Sequence, residues 1–167
     1  MNDPILYKLF LYWKSKRDEN GFASKASIDP VEIPDLLPYL TIIESYDNHE
    51  RFRYRLVGTV VAQGIDPTGQ FLDEALPDTP YRRHKQSLLK EAIGRAEGLL
   101  TEYRYSNGPS SIRRLLLPLM GRNRNVRYLI TGQISQNNSD ESLSAWQANP
   151  AGIEKVMHGD PAELFRQ

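Results

Sequence analysis

The amino-acid sequence predicts an α+β domain built around one main core. Three observations indicate this class: two strand-like segments lie close together between residues 40 and 59, a long helical pattern follows at 79–97, and three more strand-like segments occupy 99–134. The length of 167 residues suits one domain with elaborated ends, because typical domains hold about 100–150 residues.

The first element is predicted to be an amphipathic helix. Asp3 can cap its first turn, and Pro4 suits the first helical position because the amide hydrogen that proline lacks would have had no partner there. Large apolar residues then recur at helical spacing: Ile5, Leu6, Leu9, Phe10 and Trp13. Prolines interrupt residues 28–40, so only short helical turns are expected in that segment.

A β-hairpin is predicted next. Residues 40–46 are rich in β-branched side chains, and turn-forming residues at 47–50 lead into a second strand at 52–59. On this second strand Phe52, Tyr54 and Leu56 alternate with polar residues, so we expect the three side chains to share one face. Glycines and prolines leave room only for short helices between 60 and 78, such as one at 72–76.

The longer helix is predicted to begin at Pro80, with Thr79 as its cap. One face of this helix carries apolar residues: Tyr81, Leu88, Leu89, Ala92 and Ala96. Three strands at 99–105, 112–120 and 126–134 then form a meander, separated by turn signals at 107–109 and 121–125.

The C-terminal segment is predicted to lie outside the core. Residues 135–150 are polar and resemble a linker, while 153–157 and 162–165 are expected to form short helices. We therefore divide the chain into a helix and Pro-rich lead-in at 1–40, a core at 41–135, and a polar linker with a short helical tail at 136–167.

The composition excludes several classes of site. The chain has 21 basic and 21 acidic residues, so its net charge gives no global attraction to nucleic acid or to an anionic membrane. It has no cysteine, which excludes disulfides, thiolate metal sites and cysteine nucleophiles. No apolar run approaches the length of about 18 residues that a membrane span needs. We expect a cytoplasmic protein.

Several short motifs are spaced along the first four fifths of the chain. They are Tyr12-Trp13, Ile28-Asp29-Pro30, Ile33-Pro34, Leu36-Leu37-Pro38, the segment from Phe52 to Thr59, the glycine-bounded segment from Gly64 to Gly69, and Leu72-Asp73. Together they resemble a bacterial family of stand-alone PAS domains once catalogued as a domain of unknown function, and the resemblance covers residues from about 5 to 135. The resemblance implies a PAS-like five-stranded antiparallel sheet with helices on one face, a small cavity between them, and the additional N-terminal amphipathic helix.

The resemblance also implies a sensory or regulatory module in signal transduction. Such a module binds a small ligand, a partner protein or a second copy of itself as a homodimer, and we expect no output domain of its own. Flavin-photoadduct and hydroxycinnamoyl versions are excluded because both need a cysteine. A haem version would use His84, which lies about 60° from Tyr81 around the helix, at the edge of the apolar stripe. We do not expect haem, and the cofactor stays open.

Three sets of residues are candidates for binding. The pocket candidates are the possible walls of a cavity, although core packing is the simpler interpretation: Tyr54, Leu56, Leu88, Tyr103 and Tyr128. The anion-surface candidates lie in a stretch without acidic residues, where they could instead protect strand edges: Arg113, Arg114, Arg122, Arg124 and Arg127. The dimer or partner candidates form the apolar stripe of the first helix: Leu6, Leu9, Phe10 and Trp13.

Other function classes receive less support from the sequence. No helix-turn-helix pattern accompanies the arginines, so we do not expect sequence-specific DNA binding. The spacing of His49, His84 and His158 gives no metal site. We do not expect an enzyme, because common catalytic motifs are missing. The alternatives are a small proton-transfer enzyme using Asp66 or Asp73, which also fit turn and cap roles, or a protein that binds an anion or nucleotide through the arginines.

Overall fold

A single β-sheet organises the fold in a computed structural model that describes residues 3–62, 64–105, 111–136 and 152–167. Its strands are β1 (Ala23–Ser24), β2 (Leu40–Tyr46), β3 (Arg51–Val57), β4 (Leu99–Tyr105), β5 (Ser111–Met120), β6 (Val126–Gln136) and β7 (Ile153–Gly159). The strand order is β3-β2-β6-β5-β4-β7, and all of these neighbours pair antiparallel. The short β1 pairs with β5 in parallel.

Helices cover both faces of this sheet. They are α1 (Pro4–Ser15), α2 (Thr59–Ala62), α3 (Leu72–Ala75), α4 (Pro80–Ile93) and α5 (Pro161–Leu164), with single 3₁₀ turns at Lys25–Ser27, Pro30–Glu32 and Leu37–Tyr39. We call the face covered by α4 the inner face and the face covered by α1 the outer face. Each face has its own apolar cluster.

Helix α1 packs on the outer face. The Asp3 carboxylate accepts a hydrogen bond from the Leu6 amide at 3.1 Å and caps the first turn. The Trp13 indole Nε1 donates to the carbonyl oxygen of Pro118 at 3.0 Å. The apolar stripe of α1 is buried against the sheet. Gly132 permits this contact, because a Cβ atom there would lie 2.7 Å from the Leu6 side chain.

Helix α4 packs on the inner face. Thr79 caps it by accepting a hydrogen bond from the Arg82 amide, and Pro80 occupies its first turn, as the sequence predicts. The inner cluster joins α3 and α4 to alternate residues of the central strands: Ile43, Phe52, Tyr54, Leu72, Leu76, Tyr81, Leu88, Leu89, Ala92, Ile93, Leu99, Tyr105, Ile112, Leu116 and Leu129.

A β-bulge changes the side-chain pattern of β3. Ile43 pairs with Tyr54 and Ile42 pairs with Leu56, so Arg55 is the extra residue on β3. Tyr54 consequently faces inward, whereas Leu56 packs in the outer cluster. The expectation that Leu56 shares the face of Phe52 and Tyr54 is wrong, because one inserted residue reverses the alternation that follows it.

The α+β class with an antiparallel sheet is confirmed, but the described chain adds strands at both ends. Residues 153–157 were expected to be helical and instead belong to β7, which pairs with β4 at the edge of the sheet. The expected helix at 162–165 corresponds to α5. The turn predicted at 107–109 and the linker predicted at 135–150, apart from its first two residues in β6, lie outside the described residues.

Candidate functional site

A small cavity lies between α4 and the inner face. Its lining comes from four elements: Thr41 and Ile43 on β2, Lys85, Leu88 and Leu89 on α4, Arg114 and Leu116 on β5, and Thr131 and Gln133 on β6. The cavity has room for about one water molecule. Its lining combines leucine and isoleucine side chains with hydroxyl, amide and cationic groups, so the site can hold a small polar species.

Lys85 points from α4 into this interior. Lys85 is only 8% exposed, and its Nζ donates a hydrogen bond to the Tyr54 hydroxyl at 3.0 Å. The same ammonium lies 5.2 Å from the centroid of the Tyr54 ring. Burial, together with the nearby Arg114 guanidinium, lowers the pKa of Lys85 to about 7. A proton at Lys85 Nζ is therefore held weakly near neutral pH.

Arg114 reaches the same interior from β5. Its Nε donates to Gln133 Oε1 at 3.2 Å, and its two terminal nitrogens donate to the Tyr105 and Tyr81 hydroxyls at 3.0 and 2.8 Å. Arg114 is 3% exposed. An arginine stays protonated in proteins, so this guanidinium carries a full positive charge in the interior.

The two cations have no acidic counterpart at the site. No residue that lines the cavity is acidic, and among the described residues neither Lys85 nor Arg114 takes part in an ion pair. Neutral tyrosine hydroxyls and one amide oxygen are their hydrogen-bond acceptors. Because buried charges in proteins are ordinarily paired, this arrangement is unusual.

A second group of polar side chains connects α4 to the C-terminal segment. The Tyr103 hydroxyl lies 3.0 Å from His158 Nδ1, and His158 Nε2 lies 2.9 Å from a Glu91 carboxylate oxygen. The ring of His84 packs edge-on against Tyr103 with a centroid distance of 4.3 Å. Burial and the nearby Arg114 lower the pKa of His84 to about 4, so this ring is neutral at physiological pH.

The structure brings together only part of the predicted pocket. Leu88 lines the cavity. Tyr54 does not line it, but its hydroxyl accepts a hydrogen bond from Lys85, which does. Tyr103 lies beside His84 and does not line the cavity. Leu56 and Tyr128 pack in the outer cluster, so their assignment to an inner pocket is wrong. His84 does not line the cavity either, and the space has no room for a haem.

The sequence reasoning missed Lys85 as a site residue and placed Arg114 on an outer surface. The sequence pattern nevertheless indicates that both side chains are buried. Lys85 falls within the apolar stripe of α4, four residues after Tyr81 and four before Leu89. Arg114 occupies an inward position on β5 between Ile112 and Leu116. A charged residue in phase with buried apolar neighbours indicates a buried charge.

The five arginines predicted as an anion surface do not all share one face of the sheet. Arg113 pairs with Asp3 and Glu102, and Arg127 pairs with Glu44 at 2.7 Å. Arg114 lies on the opposite face of β5 from Arg113, as alternation along a strand requires. Arg122 and Arg124 are exposed in the turn between β5 and β6.

The other candidates also have structural roles. Leu6, Leu9, Phe10 and Trp13 are at most 5% exposed, so they do not form an open partner surface. Asp66 accepts hydrogen bonds from the Thr68 amide and hydroxyl at 2.9 and 2.6 Å. Asp73 pairs with Arg51 at 2.9 Å, outside the cavity. Neither carboxylate lines the cavity.

Comparison with known proteins identifies a family for this chain. Residues 1–134 match a family model described as PAS domain. Neither curated proteins nor solved structures give a match. Among the helices in the described parts of the chain, none combines the length and the apolar character needed to cross a membrane. The same residues contain no cluster of three or more His, Cys, Asp or Glu suited to a metal ion. Since the family model matches most of the chain, the protein belongs to the PAS-domain family.

Proposed function

We propose that this PAS domain is a sensory module that binds a small ligand between α4 and the inner face of the sheet. The observation that carries the proposal is the polar cavity under α4, with Lys85 and Arg114 on its wall. Burying polar and charged groups is costly unless they gain compensating partners, so such groups in a cavity indicate a binding site. A ligand that contacts Lys85 would act directly on the position of α4.

Helix α4 is well placed to transmit such a contact. Glu91 on α4 bonds to His158 on β7, and Lys90 pairs with Glu50 in the turn after β2 at 2.9 Å. A shift of α4 would therefore alter contacts at two separate parts of the sheet. We propose that these surface changes are read by a partner protein or by a second copy of the chain.

The proposed partner surface is the outward side of α1, because the apolar stripe of this helix is buried against the sheet. Tyr7 and Leu11 lie on that side and are 45% and 47% exposed. A homodimer through this surface predicts that Leu11→Asp shifts the chain to monomer without loss of folding. Leu11 suits this test better than Tyr7, whose ring also packs against Phe165 at a centroid distance of 5.2 Å. Light scattering on the purified protein measures this directly, and a dimer unaffected by the substitution would contradict the proposed surface.

Native mass spectrometry of the freshly purified full chain tests ligand binding. We expect a co-purifying mass that is released on denaturation, or amide NMR shifts around α4 when small molecules from a cell extract are added. Leu88→Phe should abolish the response by filling the cavity. Ser87→Phe, which adds the same ring on the exposed side of α4, should retain it. A wild-type chain that responds in neither assay, and whose unfolding temperature no small anion raises, would refute ligand sensing at this site.

A further inference from the structure

We infer that the ligand at this cavity is an anion, or has an anionic group, that lies between Lys85 and Arg114: chloride or the carboxylate group of a small organic acid. The inference rests on the proposed function in that it assumes a ligand in this cavity, and it specifies the chemistry of that ligand. The binding groups would be the Lys85 ammonium and the Arg114 guanidinium, with Thr41 and Thr131 hydroxyls on the same wall.

The charge of the site is the first argument. Two cationic side chains line one small cavity, and its lining contains no acidic residue that could neutralise them. Arg113 shows the contrast, because on the other face of the same strand it contacts both Asp3 and Glu102. An anion in the cavity would supply at Lys85 and Arg114 the counter-charge that Arg113 obtains from the chain.

Unused hydrogen-bond donors are the second argument. An ammonium has three N–H groups and a guanidinium has five. Lys85 uses one of its groups on Tyr54, and Arg114 uses three on Gln133, Tyr105 and Tyr81. Each of these nitrogens therefore has one partner, and when Lys85 is protonated about four N–H groups have no acceptor of their own within the described part of the chain. Halides and carboxylates are pure acceptors, so they suit a cavity with spare donors.

The size of the cavity selects among anions. Space for about one water molecule accommodates a single halide ion or the end of one carboxylate group. A phosphate or sulfate group is larger than this space, and the leucines of the lining, Leu88, Leu89 and Leu116, offer it no hydrogen bond. The geometry therefore favours a small monovalent group over the phosphates of a nucleotide.

Thermal unfolding of the full chain in different sodium salts tests the inference. Sodium isethionate, whose anion is too large for the cavity, maintains constant ionic strength while chloride, formate or acetate replaces it. We expect the unfolding temperature of the wild-type chain to rise with a saturating dependence on at least one small anion. Lys85→Met should abolish this rise. Lys90→Met, which removes an exposed lysine from the same helix, should retain it.

The choice of anion distinguishes the two sources of the negative group. Saturation by chloride but not by formate or acetate assigns a free halide, whereas saturation by formate or acetate assigns a carboxylate ligand. Crystals grown with bromide provide a second test that needs no variant: an anomalous peak between Lys85 Nζ and the Arg114 guanidinium supports the site, and its absence at saturating bromide overturns a halide.

Three results would overturn the inference. They are an unfolding temperature that none of the small anions raises, a linear rise without saturation, and equal responses of Lys85→Met and Lys90→Met. If anions have no effect while mass spectrometry or NMR detects a neutral ligand sensitive to Leu88→Phe, the inference fails and the proposed function stands. If neither anions nor neutral molecules bind, both fail.

Discussion

Replacing Lys85 with methionine should make the ligand-free domain more stable near neutral pH. Methionine has a similar length and no charge, so the substitution removes the buried ammonium while it fills most of the same volume. The pKa of Lys85 is about 7 in the folded chain against a reference value of 10.5. At about 1.4 kcal/mol for each pH unit between these values, burying the protonated form costs up to about 5 kcal/mol.

The sign of the pH dependence follows from proton counting. Below pH 7 Lys85 is protonated in both states, and the full cost of burial is present. Between pH 7 and 10.5 the unfolded chain binds more protons than the folded chain, so the free energy of unfolding of the wild type rises with pH. The methionine variant lacks this contribution. Its advantage should therefore be largest at pH 6–7 and should shrink as the solution becomes more alkaline.

Loss of the hydrogen bond to Tyr54 opposes the gain. The Tyr54 hydroxyl accepts from Lys85 Nζ, and removal of such a partner costs about 1 kcal/mol. We expect a net stabilisation of about 2–4 kcal/mol at pH 6 and close to none at about pH 9.5.

Urea unfolding followed by circular dichroism provides the assay. It is measured between pH 6 and pH 9.5 in sodium isethionate, because guanidinium chloride would add chloride. Lys90→Met is the control, since its surface pair with Glu50 should give a small difference that does not vary with pH in this range. A Lys85→Met variant that is destabilised at every pH, or whose difference from wild type is independent of pH, would refute the assignment of an unneutralised buried ammonium.

Three further substitutions test two packing contacts of α1 and one cluster of ion pairs. Gly132→Ala should lower the free energy of unfolding by about 1–3 kcal/mol, because its Cβ would lie 2.7 Å from a Leu6 methyl group; Gly94→Ala, whose Cβ meets an ordinary 3.6 Å contact, is the control in the same urea titration. Trp13→Ala should cost about 3–5 kcal/mol by calorimetry, and a loss below 1 kcal/mol would contradict its place in the core. Burial would raise the pKa of Glu44, but hydrogen bonds from Arg55, Tyr46 and Arg127 outweigh burial and hold it below its usual 4.5. Glu44→Gln should therefore destabilise the chain at pH 7, and the difference should disappear as acid protonates the wild-type carboxylate; a difference that persists in acid would refute this ion-pair role.

The elements that the sequence predicted well are those whose signals are local. Asp3 and Pro4 mark the start of α1, and Thr79 and Pro80 mark the start of α4, because cap and first-turn preferences act within a few residues. Strand β7 was missed because it lies at the edge of the sheet and has mostly exposed or half-exposed side chains. Its extended state depends on pairing with β4, which is far away in sequence.

The site was less predictable than the fold because it depends on which residues meet across the sheet. The position of Tyr54 followed from alternation along β3. The bulge at Arg55 moved Leu56 to the other face, and no local sequence pattern predicts that bulge. Lys85 and Arg114 each carried a visible signal as a charge among apolar neighbours. Their placement around one cavity required the packing of α4 on β5, which the local signals do not specify.

Lys85 affects both the stability of the empty domain and the proposed binding of an anion. A buried cation that lacks a counter-charge weakens a fold, and apolar residues of similar volume at such positions often give a more stable protein. If Lys85→Met unfolds at higher urea concentration and also ceases to respond to small anions, the lysine lowers the stability of the empty domain and contributes to ligand binding. A purely structural lysine would not show this combination, because its removal could not both strengthen the empty fold and abolish an anion response. An anion between Lys85 and Arg114 would then stabilise the bound form relative to the empty one, and this difference is what allows a ligand to shift the position of α4.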